Sequence, residues 1–148
     1  MEVVTMLKQV DLFRGLDNSQ LELVGQITVQ EDFNDGDVIF EQGDHAGKMY
    51  IVSEGQVEII VEHSDGQQNP VVFLGTGQII GEMTLVDEGK RSATVKASGE
   101  MTRLYSILNT KFVELCRSNT DIGYMIMRNI AQDMSFKLRH RGFEAKDS

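Results

Sequence analysis

A mainly β fold with helices at both ends is the class this chain predicts, and three observations predict it. Between Asp35 and Gly99, short apolar runs are punctuated by Asp35-Gly36, Gln42-Gly43-Asp44, Glu54-Gly55, Asp65-Gly66, Gly75-Thr76-Gly77, Glu88-Gly89 and Ser98-Gly99. Turn signals spaced about 8–12 residues apart mark an all-β sandwich or barrel. The runs between them, Val38-Ile39-Phe40, Met49 to Val52, Val57 to Val61, Val71 to Leu74, Thr94-Val95 and Leu104 to Ile107, are rich in β-branched and aromatic residues. Outside this region the apolar residues recur at helical spacing instead.

Val3, Met6, Leu7 and Val10 share one face of a helical segment over Glu2 to Phe13. Leu16-Asp17-Asn18-Ser19 then supplies a turn and N-caps for a second helix through Leu21, Leu23, Val24 and Ile27. Beyond the β region, Asn109 is a predicted N-cap for a helix holding Phe112, Val113 and Cys116. A longer helix follows, with Ile122, Ile126, Ile130, Met134 and Leu138 stepping by four. Asp121 stands in its first turn, Lys137, Arg139 and Arg141 near its end, and Gly142 at its expected C-cap, which complements the helix dipole. The stripe is wide enough to pack on the β core, the favoured reading, and also to meet a partner helix in a homodimer. No linker, low-complexity tract or repeat divides the 148 residues. A single domain over 1–148 is therefore expected, with N-terminal helices over 1–32, a β region over 33–108 and C-terminal helices over 109–141.

A formal charge of -9 and a pI near 4.7 argue against nucleic acid as a partner of this chain alone, because Lys and Arg supply most of the affinity for phosphate backbones. The same field repels small anions, so an anion site must be built locally from backbone amides and a few placed cations. No apolar run approaches the about 20 residues that span a bilayer, and Met1-Glu2-Val3-Val4 lacks the basic and apolar regions of a signal peptide. A cytoplasmic protein with no membrane partner is expected. The single Cys116 excludes an internal disulfide and a multi-cysteine zinc site, and reads as a small buried hydrophobe.

Gly75-Thr76-Gly77 followed by Gly81 is not a dinucleotide fingerprint, because the third position of that pattern falls on Ile80 and no βαβ alternation surrounds it. Asp44-His45 reads as a solvated turn with no second ligand at metal spacing. His45, His63 and His140 are scattered, and none accompanies a Ser or Cys in a nucleophile motif. No catalytic residue, metal ligand or cofactor is predicted, and the chain does not read as an enzyme.

The segment from Ile79 to Lys96 stands apart. A cyclic phosphodiester bound by an acidic protein needs backbone amides at a helix start, a guanidinium for its oxygens and an acceptor for the ribose hydroxyl. Gly81 permits close backbone approach, Glu82-Met83-Thr84-Leu85-Val86 can form one short turn, and Asp87-Glu88-Gly89 ends it before Arg91. Gly81-Glu82 followed by a short apolar turn and then Arg91-Ser92-Ala93-Thr94-Val95 resembles the phosphate-binding cassette of cyclic nucleotide-binding domains. Glu82 and Arg91 lie nine positions apart, as in the kinase-regulatory and ion-channel members. Phe33 to Asp44 and Met49 to Val57 are similar to the family's early strands, so the resemblance covers nearly the whole chain.

That resemblance implies a double-stranded β-helix, a jelly-roll-like β-roll, between an N-terminal helical motif and two C-terminal helices. It implies that Glu82 accepts the ribose 2′-hydroxyl, Gly81 and Met83 present backbone groups, Arg91 pairs the phosphate, and Ser92 and Ala93 add contacts beside it. Val72 and Leu74 are the apolar residues expected to sandwich the base, and Arg139, Arg141 and Phe143 the expected lid. The ligand is cAMP or cGMP, with cAMP favoured, and occupancy would be reported through the C-terminal helices to an effector protein that the sequence does not identify. Two departures stand out. Lys90 occupies a place where proline is frequent and adds positive potential. Thr84 replaces a smaller residue and is expected to crowd the turn. The rival readings are a protein-interaction module on the same fold that binds no nucleotide, and the sensor half of a truncated transcription regulator.

Overall fold

The computed structural model describes residues 3–87 and 89–147, with side chains described for 3–86 and 89–140. Its helices are α1 (Val3–Leu7), α2 (Asn18–Gly25), α3 (Thr84–Asp87), α4 (Asn109–Ser118) and α5 (Thr120–Asp147), with a 3-10 turn at Asp11–Phe13. The strands are β1 (Thr28–Phe33), β2 (Val38–Phe40), β3 (Lys48–Ile60), β4 (Val72–Leu74), β5 (Ile79–Ile80) and β6 (Thr94–Leu108). They form an antiparallel sheet ordered β1-β6-β3-β4, with β2 added to β6 and β5 to β3. This is the β-roll with flanking helices that the sequence predicts.

β3 and β6 form the spine of the roll, paired from Lys48 opposite Leu108 to Ile60 opposite Thr94. The runs 49–52 and 57–61 were expected to be separated by a turn at Glu54-Gly55, and Ser98-Gly99 was expected to break the later region. Both glycines instead lie inside continuous strands. Gly55 sits at φ 79° where the register shifts between Val52 and Gln56, so it bends a long strand rather than reversing the chain.

Side chains along β3 alternate between two cores. Met49 and Ile51 enter a cluster with Met6, Leu7, Phe13, Phe112, Ile122 and Ile126, contributed by the helices. Tyr50, Val52 and Val57 enter the roll interior with Ile80, Val95 and Leu104. The helices cover one face of the spine and the roll closes over the other, which is why Met49 to Ser53 is buried without interruption.

Two elements differ from the sequence reading. The helical segment expected over 2–13 ends at Leu7 and resumes as the 3-10 turn, a break that lets Leu12, off the Val3–Val10 stripe, reach the core beside Phe13. β1 begins at Thr28, ahead of the boundary expected at 33; most of its residues are polar, and it is held to β6 by pairs such as Asp32 with Arg103, Nε to Oδ1 2.9 Å. Asp17 caps α2 reciprocally with Gln20. At the other end of the chain α5 continues through Gly142 to Asp147 rather than ending there.

Ile122, Ile126 and Ile130 are buried, Met134 is half-buried and Leu138 is exposed, so the stripe of α5 leaves the core toward its end. Cys116 is half-buried, and burial pushes its thiol pKa up. What orients α5 is a polar clamp to the N-terminal segment. The buried Asn129 Nδ2 donates to the carbonyls of Leu12 at 2.8 Å and Arg14 at 3.0 Å. Arg14 Nη2 donates to Gln132 Oε1 at 3.1 Å and Asp133 Oδ1 at 3.3 Å. Asn129→Leu strands both carbonyls and is expected to cost about 1–3 kcal/mol of stability. A fall in the denaturation midpoint at constant slope is the expected reading; an unchanged midpoint would remove the clamp from the argument.

Candidate functional site

Antiparallel pairing of Ile79 and Ile80 with Ile51 and Tyr50 brings the chain to the spine just before Gly81. Gly81 then turns it at φ 83°, a conformation that L side chains avoid, and leads into the turn ahead of α3. The amides of Thr84, Leu85 and Val86 bond back to the carbonyls of Gly81, Glu82 and Met83. The amides of Glu82 and Met83 have no backbone acceptor among the described residues, as expected at a helix start.

Arg91 returns toward the same point. Its backbone is pinned on the 41–46 loop, where the Gly43 amide donates to the Arg91 carbonyl and the Arg91 amide to the Asp44 carbonyl, both at 2.8 Å. Its side chain runs inward and is only 7% exposed. Nη2 donates to the Lys48 carbonyl at 2.6 Å, and the guanidinium carbon lies 4.0 Å from the centre of the Phe40 ring and 5.9 Å from that of Tyr50. Burial lowers the Arg91 pKa from its ordinary value, opposed by Tyr50 and Asp44; burial likewise raises that of Tyr50.

The remaining donors define the chemistry. Arg91 Nε and Nη1 are buried and have no hydrogen-bond partner among the described residues. An unpaired buried donor costs about 1–3 kcal/mol, and more when charged. A guanidinium held this way, supported on one side by aromatic faces and a carbonyl, is suited to bidentate pairing with an anion. A Cβ on Gly81 would lie 2.5 Å from Nη1 and 3.3 Å from the Lys48 carbonyl, so glycine is what allows the guanidinium to reach the turn.

These groups line a cavity of about 240 Å³. Gly81, Glu82, Met83, Arg91, Ser92 and Ala93, each singled out from sequence, all line it, together with Phe40, Ile59, Thr84 and Lys90. A second cavity of about 230 Å³ lies beneath α5 and shares Glu82 and Met83 with the first. Leu74 lines this second cavity, facing Ile130, Asp133, Met134 and Lys137 of α5. Val72 lines neither; it stands opposite Ile59 in register, on the face that carries the first cavity's wall, and is exposed.

The Glu82 side chain is half-buried at the junction of the two cavities and makes no hydrogen bond or ion pair with the described residues. Of the expected lid residues, Arg139 is exposed and lines neither cavity, and the side chains of Arg141 and Phe143 lie outside the described residues. The α5 residues at the cavity lie earlier in the helix, at Ile130, Asp133, Met134 and Lys137. Thr84 does not crowd the turn: its buried hydroxyl donates to the Gly81 carbonyl at 2.7 Å and accepts from Asn109 Nδ2 at 2.8 Å.

Sequence reasoning missed Phe40, the Lys48 carbonyl and Asn109. Only Phe40 left a local signal, as the aromatic residue that closes the Val38-Ile39-Phe40 run. Asn109 was expected to cap α4, but the cap position is Leu108, and the Asn109 side chain turns to Thr84 instead.

Comparison with known proteins shows the family and the fold. The family model for the cyclic nucleotide-binding domain matches residues 30–119. A cyclic AMP receptor protein of Thermus thermophilus is 31% identical over 138 residues, which cover 93% of this chain and 62% of the relative's length. The chain therefore spans under two thirds of that relative. Among solved structures, the N-terminal domain of a transcriptional regulator from Streptomyces coelicolor superposes with a TM-score of 0.83 at 25% identity, covering 92% of this chain and 94% of that one. The regulatory domain of Toxoplasma gondii PKA, solved with cAMP, superposes with a TM-score of 0.76 at 25% identity, covering 90% of this chain and 48% of that one. With the family model matched over more than half its length, this chain belongs to the cyclic nucleotide-binding domain family.

Proposed function

We propose that this chain is a sensor that binds a cyclic nucleotide, cAMP in preference to cGMP, and reports occupancy through α4 and α5 to a partner protein. The observation that carries this reading is the buried Arg91 guanidinium with Nε and Nη1 unpaired at the cavity wall. The cyclic phosphate pairs with those two donors and with the amides of Glu82 and Met83. The Glu82 carboxylate, which has no ion-pair partner among the described residues, accepts the ribose 2′-hydroxyl. The base extends toward the second cavity, where Leu74 and Met134 offer apolar contact and Asp133 and Lys137 polar edges. Gly81 and Met83 shape the phosphate cradle, Ser92 and Ala93 flank Arg91, and Val72 extends the apolar face at the mouth.

Two features support cAMP. The relative matched over most of the chain is a cyclic AMP receptor protein, and the PKA regulatory domain was solved with cAMP. Ser92 is exposed at the rim, where its hydroxyl does not by itself favour guanine. Closure of α5 over the base is a population shift driven by contacts that exist only in the occupied state. Tyr124, Ala131 and Leu138, all exposed and seven residues apart on α5, would supply a seam for a second copy.

Calorimetric titration with cAMP, cGMP and 2′-deoxy-cAMP tests the reading. cAMP is expected to bind most tightly, and the deoxy analogue to lose about 1–3 kcal/mol because the Glu82 carboxylate keeps its desolvation cost without its hydroxyl partner. No heat with either ribonucleotide at millimolar concentration, for folded protein, overturns the reading in favour of an interaction module that binds no nucleotide.

A further inference from the structure

We propose that Thr84 and Asn109 form a polar latch that makes the 81–87 turn and the start of α4 change state together. The two residues are 25 positions apart in sequence, yet Asn109 Nδ2 donates to Thr84 Oγ1 at 2.8 Å. The same Thr84 hydroxyl donates to the Gly81 carbonyl at 2.7 Å. Asn109 is the first residue of α4, and its own amide donates to the Gly47 carbonyl at 3.0 Å. A continuous path therefore runs from the unpaired Nη1 of Arg91, through the glycine it abuts, to the first turn of α4.

The state of Asn109 makes this a latch rather than one contact among many. Among the described residues its Oδ1 is buried with no partner, and no side chain caps α4. An asparagine at a helix start ordinarily satisfies the helix's own amides; here the side chain is diverted to Thr84 and left with an orphaned acceptor. If the Gly81 carbonyl moves, Thr84 must release either that carbonyl or Asn109, and in the second case the Asn109 side-chain amide has no partner at either end among the described residues. The turn can adjust while latched only if α4 adjusts with it. Leu85 and Phe112 share a hydrophobic cluster, so apolar packing also links the segments; an isosteric substitution separates the two contributions.

Hydrogen exchange on the full chain tests the latch, with Thr84→Val, Asn109→Leu, the double variant, and Thr84→Ser, which keeps the hydroxyl. Without nucleotide, Thr84→Val is expected to speed exchange across 109–118 by about 5- to 100-fold, the equivalent of unpairing the buried Asn109 Nδ2, and Asn109→Leu to speed exchange across 81–87 by less, because the Thr84 hydroxyl keeps its bond to the Gly81 carbonyl. The double variant should exceed neither single, since removing both partners strands no polar group, and Thr84→Ser should match wild type. Changes confined to each variant's own segment overturn the latch. The last arm rests on the cyclic nucleotide reading: with saturating cAMP, protection should reach 109–118 in wild type and stop within 79–96 in the Val and Leu variants. Absence of any nucleotide effect in wild type, with the cross-segment effects present, sinks the binding reading and leaves the latch standing.

Discussion

Arg91→Ala is expected to weaken cyclic nucleotide binding by about 2–5 kcal/mol, a loss of roughly 30- to 5,000-fold in affinity by calorimetry, while leaving the protein folded. The two halves of that result have different origins. Affinity falls because the phosphate loses both the charge and the two donors, Nε and Nη1, that have no other partner among the described residues. Stability is spared because the guanidinium is incompletely satisfied in the folded chain. Losing its contact with Phe40 removes about 0.5–2 kcal/mol, and relief of a buried charge with unmade hydrogen bonds offsets that loss. Arg91→Lys should fall between, since an ammonium keeps the charge but lacks the planar fork. A melting temperature that collapses in step with affinity would make Arg91 a structural residue; an affinity within threefold of wild type would remove it from the site.

That Glu82 and Arg91 reach one cavity was legible in sequence because their geometry is local. Glu82 and Arg91 lie nine positions apart, and the turn between them brings both to one cavity. What supports Arg91 was not legible, because it arrives from elsewhere: the Lys48 carbonyl is 43 positions away, and the Phe40 ring comes from another strand. Strands with one apolar face announced themselves; β1 did not, since its Gln30, Glu31 and Asp32 offer no alternation and its pairing depends on partners such as Arg103 and Tyr105. The lid expectation at Arg139, Arg141 and Phe143 counted along a helix whose rotation is set by Asn129 bonding the carbonyls of Leu12 and Arg14. No periodicity in the helix itself contains that information, and the cavity meets Asp133, Met134 and Lys137 instead.

Gly55→Ala is expected to destabilise the fold by about 2–5 kcal/mol, a larger loss than Gly81→Ala, although both glycines have positive φ near 80°. The difference lies in what a Cβ would meet. At Gly81 the nearest atom is Arg91 Nη1, the end of a long side chain that can withdraw, so alanine there should mainly displace the guanidinium and weaken binding, adding about 1–2 kcal/mol of backbone strain. At Gly55 the nearest atoms are the Met101 carbonyl oxygen and Thr102 Oγ1, both at 2.6 Å, with the Thr102 Cα at 2.9 Å. Two of these three belong to the β6 backbone, and Thr102 is fully buried with its hydroxyl donating to the Gln56 carbonyl at 3.1 Å. Neither neighbour can yield without parting the two strands that form the spine of the roll. Chemical denaturation of the two variants beside cAMP titration should separate them, with Gly55→Ala losing stability and keeping affinity while folded, and Gly81→Ala losing affinity ahead of stability. Equal stability losses would place the bend at Gly55 outside the spine's energetics, because strain at positive φ alone acts alike on both residues.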